Sequence, residues 1–176
     1  MIYIFKITTN ENPDFVRLIE IDPEDTFSSF HTIIQQSSKF DSDQLASFFI
    51  ADESWSKRIE VTLIDMGSNG IPHYTMVKTK IKDLIKTKGQ KLLYVFDFLN
   101  DRSFYVELTG ISMERNLNEP QIAYKQGKAP NQFLTEDVEL IDAPDSRFFE
   151  SYHDYGDLDD YTEIFGEMDD LLEGGY

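Results

Sequence analysis

Leu92 to Phe98 and Ser103 to Ile111 are dense in aromatic and β-branched residues and flank the turn-forming Leu99-Asn100-Asp101-Arg102. Such runs suit a pleated, half-buried surface, and the short polar connection between them predicts an antiparallel hairpin. A lone hairpin is marginal in water, so this one needs further strands or helices packed on it. The preceding residues supply both. Residues 2–9 and 15–21 are β-rich and separated by Asn10-Glu11-Asn12-Pro13-Asp14, which predicts a first hairpin. In its second strand Arg17, Ile19 and Ile21 share one parity and Val16, Leu18 and Glu20 the other, so neither side is cleanly polar.

Asp25 or Thr26 can cap a helix over 26–37, in which Phe27, Phe30 and Ile34 recur at helical spacing. Leu45 to Ala51 and Lys57 to Met66 read as strands, followed by a Gly67-Ser68-Asn69-Gly70 turn. Thr79 can cap a second helix over 80–87, with Ile81, Leu84 and Ile85 as its buried stripe and Gly89 as its stop. The order ββαββαββ predicts an α+β fold, a mixed or antiparallel sheet with two helices packed on one face, plus a C-terminal acidic helix. From Glu114 to about residue 135 the chain reads as loop. Residues 1–135 are expected to form one domain and 136–176 an acidic C-terminal segment.

Charge draws that boundary. The chain carries a formal −17, of which residues 136–176 hold −14, because Arg147 is their only basic residue. Such a balance repels phosphate backbones and anionic membranes, so nucleic acid is disfavoured unless a local basic patch overcomes it. The chain has no cysteine, which removes disulfides, thiolate metal sites and cysteine nucleophiles together. Met1 to Ile7 read as a strand rather than a signal peptide, and nowhere do about 18 apolar residues run together. The expectation is a cytoplasmic protein with no membrane partner.

The opening strand with Pro13 and Arg17, the segment Phe30-His31 to Ile34-Gln35, Phe48, and Lys80 to Lys88 followed by Tyr94-Val95-Phe96-Asp97-Phe98 form a recognisable pattern, as does Gly127-Lys128-Ala129-Pro130. With these residues the chain resembles the Ri-plasmid ORF-three-like family, also labelled transposon passenger or resolvase-like. The resemblance covers residues 1–135 and implies an α+β fold with no established activity. Where the family usually has Gly-Asp after the Asp-Phe pair this chain has Leu99-Asn100, and Arg102 stands at the following Trp position.

Chemistry-bearing motifs are sparse. His31, His73 and His153 lie far apart and show no metal-ligand spacing. Arg17, Arg58, Arg102 and Arg115 are thin material for a serine recombinase, and neither a Gly-x-Ser-x-Gly elbow nor a phosphate-binding Walker loop occurs. Asp97 and Asp101 can pair across the second hairpin and hold a divalent cation with Asn100, or merely cap and solvate the turn. Asp154, Asp157, Asp159 and Asp160 fail the calcium-loop pattern, since Thr162 and Met168 occupy the positions that need Gly and Glu. No catalytic residue, metal site or cofactor is predicted.

In the acidic segment Leu158, Tyr161, Phe165, Met168 and Leu172 are spaced as one stripe of an amphipathic helix over about 157–172. Its other face stacks Asp159, Glu163 and Glu167, whose repulsion leaves an isolated helix marginal, so the stripe needs an apolar surface to dock on. Lys78, Lys80, Lys82, Lys86, Lys88 and Lys91 offer one basic docking strip in cis, and a separate protein partner offers another home. The expected function is non-enzymatic protein binding or adaptor work through the aromatic sheet or the tail stripe. The alternative is a mobile-element protein with a nucleic-acid-related role, or an acidic mimic of DNA.

Overall fold

A computed structural model describes residues 1–67, 70 and 72–134. The strands are β1 (Ile2–Thr8), β2 (Val16–Ile21), β3 (Ser47–Ala51), β4 (Lys57–Thr62), β5 (Tyr74–Thr75), β6 (Lys91–Asp97), β7 (Arg102–Ser112) and β8 (Gln121–Gln126). The helices are α1 (Phe27–Ser38), between β2 and β3, and α2 (Ile81–Leu84), between β5 and β6. The strands make one eight-stranded sheet in the order β5-β4-β3-β6-β7-β1-β2-β8. Neighbours run antiparallel except β4 and β5, which are parallel, so the sheet is mixed. The predicted second hairpin is β6 and β7, and it forms the middle of the sheet, with Leu92 opposite Val106 and Tyr94 opposite Phe104.

One face of the sheet carries the core. Phe5 meets Phe30 of α1 at 4.6 Å between ring centroids, and Phe30 stacks on Phe48 at 5.2 Å. Ile81 and Ile85 are sealed into the same cluster, and the Tyr3 hydroxyl donates to the Ile85 carbonyl at 3.2 Å. Both helices therefore lie on the face that Tyr3 and Phe5 share. Fully burying each aromatic ring contributes about 1.5–3 kcal/mol, so this phenylalanine cluster dominates the favourable side of folding. The helix starts are tied together: Phe27 N–H donates to Thr79 O at 3.0 Å and Ile81 N–H to Asp25 O at 2.9 Å.

α1 begins where its sequence predicts. Thr26 is extended and its hydroxyl accepts from Ser29 N–H at 3.3 Å. α2 is shorter than the expected 80–87 and is a single turn capped at Lys80, not Thr79. The cause is Gln90, whose side-chain oxygen takes the N–H groups of Lys86 at 2.5 Å and Thr87 at 2.7 Å, while its amide donates to Leu84 O at 3.2 Å. Those backbone groups no longer need helical partners, and Ile85 turns extended into the core.

Other boundaries also differ from expectation. β4 stops at Thr62 rather than Met66, where the Thr62 hydroxyl donates to Ile64 O at 2.8 Å. The stretch read as loop after Glu114 contains β8, which pairs with β2 from Val16↔Gln126 to Glu20↔Gln121. Its residues are all exposed, Ile122 and Tyr124 included, so its short alternation buries nothing and pairing to the edge of β2 defines it. The predicted acidic helix over about 157–172 lies outside the described residues.

Candidate functional site

Two surfaces at opposite halves of the sheet stand out. The first is an apolar groove of about 290 Å³ beside β3 and β4, lined by Leu45, Thr62, Leu63, Ile64, Met66 and Phe98, with Glu60 at its wall. Met66 is 78 % exposed, Leu45, Ile64 and Phe98 are each about half exposed, and Leu99 beside them in the β6–β7 turn is 97 % exposed. Scattered apolar side chains on a surface are ordinary, whereas here large ones gather about one groove. The groove arises because β4 ends early: Ile64 and Met66, read as strand residues, are freed from the sheet and meet the tip of the central hairpin. Its one acidic lining residue is Glu60, which accepts from the Ser47 hydroxyl at 2.9 Å; Asp65 and Asp97, beside lining residues in sequence, are answered by cations.

The hairpin carboxylates do not converge on a common point. Asp97 accepts from the backbone and side-chain amides of Asn100 at 3.1 and 2.9 Å and stands 3.5 Å from Arg102, and these bonds, Asn100's first, lower its pKa. Asp101, in the left-handed region at φ 50°, instead reaches Lys57 at 2.7 Å. Among the described residues no three metal-capable side chains gather.

The lysine strip is largely engaged within the domain. Lys80 and Lys82 both pair with Glu24, and Lys78 with Asp65 at 3.2 Å. Asp65 also accepts from Gly67 N–H and contacts His73 at 2.7 Å, and these partners, the backbone bond foremost, hold its pKa at about 2. His31 is buried with Nδ1 2.8 Å from the Tyr94 hydroxyl, and burial lowers its pKa. Leu158, Tyr161, Phe165, Met168, Leu172 and His153 lie outside the described residues.

The second surface was not singled out by the sequence as a site. Arg17 is only 2 % exposed, on the core parity of β2. Its Nε donates to Ser37 O at 3.0 Å, Nη1 to Val16 O at 2.9 Å and Gln126 O at 2.5 Å, and Nη2 to Gly127 O at 3.0 Å. The guanidinium lies 4.3 Å over the Phe15 ring. It thereby ties β2, the end of α1, β8 and the following loop together. No carboxylate pairs with it among the described residues, and desolvation lowers its pKa. It opens into a cavity of about 420 Å³ whose other cationic walls are Lys39, Lys125 and Lys128, with Ser38 and Phe40 beside them. Gly127 fixes that wall: it sits at φ +68°, where a Cβ would come 2.4 Å from Asp14 O. Lys128 O also accepts from Asn12 Nδ2 at 2.8 Å.

Arg102, by contrast, is fully matched. It forks onto Glu11 at 2.5 and 2.8 Å and donates to Asn131 O and Gln132 O at 2.6 and 3.1 Å. Its pKa is raised, chiefly by Glu11. The arginine at the family's tryptophan position is thus a clamp between three loops and lies over Phe96.

These features describe an α+β domain on a single mixed sheet with an apolar groove at one end and a cationic cavity at the other. The chain belongs to the plasmid pRiA4b ORF-3-like protein family, which it matches over residues 1–165. The match runs beyond the expected boundary near residue 135 into the acidic segment. Its fold is shared by a crystal structure of a protein of unknown function, MM3350 from Methanosarcina mazei Go1. The two are 20% identical, with a TM-score of 0.59, over 73% of this chain and 71% of that one. No curated protein matches the chain. No helix among the described residues is long and apolar enough to cross a membrane.

Proposed function

We propose that the domain is a non-enzymatic protein-binding module that takes an apolar segment with basic flanks from another protein into the groove beside β3 and β4. The observation that carries this reading is the gathering of Leu45, Ile64, Met66 and Phe98, all substantially exposed, around one groove. Burying a few such side chains supplies most of the affinity of an ordinary interface, while the Glu60 carboxylate at the wall, which no described cation pairs with, favours a basic flank. Apolar burial separates this reading from an acidic DNA mimic, whose binding would rest on charge and collapse with salt.

A photo-crosslinking residue placed at Phe98 of the full-length chain, in host cells, tests the reading. The expected product joins Phe98 to a second protein through an apolar stretch flanked by Lys or Arg. Met66→Asp should abolish the product, and raising salt from 0.1 to about 0.5 M should weaken it only a few-fold. Crosslinks confined to residues 157–172 of the same chain would instead assign the groove to the tail and overturn the proposal.

A further inference from the structure

We propose that the cavity at Arg17 binds the phosphate group of a small organophosphate, with Lys39, Lys125 and Lys128 on its outer oxygens. This site is separate from the apolar groove and does not depend on the protein-binding reading.

Charge pairing across the described residues sets the cavity apart. Lys57, Lys78, Lys80, Lys82, Lys91, Arg58, Arg102 and Arg115 each pair with a carboxylate. Of the seven cations there that pair with no described carboxylate, Lys6, Lys86 and Lys88 lie apart, while Arg17, Lys39, Lys125 and Lys128 all line this one cavity, to which no described acidic residue contributes. Like charges held together without a counter-charge repel one another, so such a cluster is most stable with an anion present. The C-terminal dipole of α1 offsets part of the charge on Arg17, through Ser37 O, and on Lys39 at its C-cap, but not that on Lys125 and Lys128.

Backbone geometry adds a second observation. Lys39 is the C-cap of α1 and adopts the left-handed conformation, φ 57°, with its N–H on Gln35 O and Gln36 O. Glycine or asparagine is the usual residue there. That helix-ending turn fixes where Lys39 stands on the cavity wall. The facing wall, from Gly127 to Gln132, is held by Arg17 at Gly127, by Asn12 at Lys128 and by Arg102 at Asn131 and Gln132. The site is therefore preorganised rather than assembled on binding.

The donor count points to phosphate over carboxylate. Arg17 has five N–H groups and commits four to backbone carbonyls, leaving one on Nη2. A carboxylate gripped by the usual fork needs two parallel N–H groups. A tetrahedral dianion can take the single remaining N–H on one oxygen and lysine point charges on the others. Inorganic phosphate alone would leave much of about 420 Å³ unfilled, and Phe40, Ala129 and Pro130 offer an apolar wall for an organic body.

The test titrates full-length protein, followed by backbone NMR, with inorganic phosphate, phenyl phosphate and the dicarboxylate phthalate. Phenyl phosphate is expected to shift the amides of Ser38 to Phe40 and Gly127 to Gln132, to bind at least about fivefold more tightly than inorganic phosphate, and to exceed phthalate by a similar factor. Because Arg17 is also structural, the variants are the exposed Lys125→Gln and Lys128→Gln, each expected to weaken phenyl phosphate up to about fivefold with unchanged unfolding midpoint. Phthalate binding as tightly as phenyl phosphate, equal binding by the double variant, or no shift at those amides in the full-length chain would overturn the assignment. The last result includes the case in which the chain's own carboxylates occupy the cavity.

Discussion

Arg17 and Arg102 are both nearly sealed from solvent, yet Arg102 meets Glu11 and Asp97 while Arg17 meets four backbone carbonyls. Both hold the loop that runs from β8 to Leu134, one at Gly127 and the other at Asn131 and Gln132. Their surroundings push their pKa values in opposite directions, up for Arg102 through Glu11 and down for Arg17 through desolvation. A buried cation needs its N–H groups satisfied and its charge answered; the Arg102 corner achieves both internally, whereas Arg17 has four of its five N–H groups satisfied and no described carboxylate to answer its charge. The difference separates a closed structural clamp from a corner with electrostatic capacity left for a ligand.

Removing each guanidinium is the strongest way to break that comparison. Arg17→Met is expected to cost about 3–5 kcal/mol in urea unfolding, because four carbonyls at the junction of β2, α1 and β8 lose their donor. Arg102→Met should cost less, about 1–3 kcal/mol, since Glu11 reaches solvent once released. An Arg102 variant less stable than the Arg17 variant would show that the pairing, not the carbonyl cage, carries the greater share.

Gly127→Ala sharpens the comparison by disturbing the Arg17 wall without touching charge. The Cβ contact with Asp14 O and the positive φ predict a loss of about 1–3 kcal/mol, with increased amide exchange at Lys125 to Ala129 and little change at Asn131. Uniform exchange across the loop would mean that the two corners act as one unit.

The smallest effect isolates burial from pairing. His31 is buried against Tyr94 and its folded pKa lies below the ordinary value near 6.5, owing to desolvation. Above that value both folded and unfolded states are neutral and the stability is fully present. As pH falls below it the unfolded state takes up the proton first, so stability declines. Thermal unfolding between pH 7.5 and 5.5 should show that decline, and His31→Gln should flatten it. An unchanged slope would assign the acid sensitivity to carboxylates.

Local sequence chemistry was enough to place the central hairpin, the first hairpin, α1 with its Thr26 cap, and the apolar stripes that the two helices bury. Those elements depend on residues close in the chain: turn formers, β-branched runs and 3.6-residue spacing. The matched residues Phe30, Phe48, Tyr94 and Phe96 proved to be core aromatics. Tertiary structure decided the rest. Gln90 stopped α2 by supplying its side chain to backbone groups four and three residues earlier. β8 forms by pairing along β2, since Ile122 and Tyr124 on it bury no core face of their own. Both candidate surfaces have the same origin. The groove needs the end of β4 to meet the central hairpin tip, and the cavity needs Arg17, Lys39, Lys125 and Lys128 brought from β2, the end of α1, β8 and the loop after it. In the sequence Arg17 is one charged residue on an apolar parity; that no described carboxylate answers its charge is a property of which carbonyls and which lysines the fold places around it.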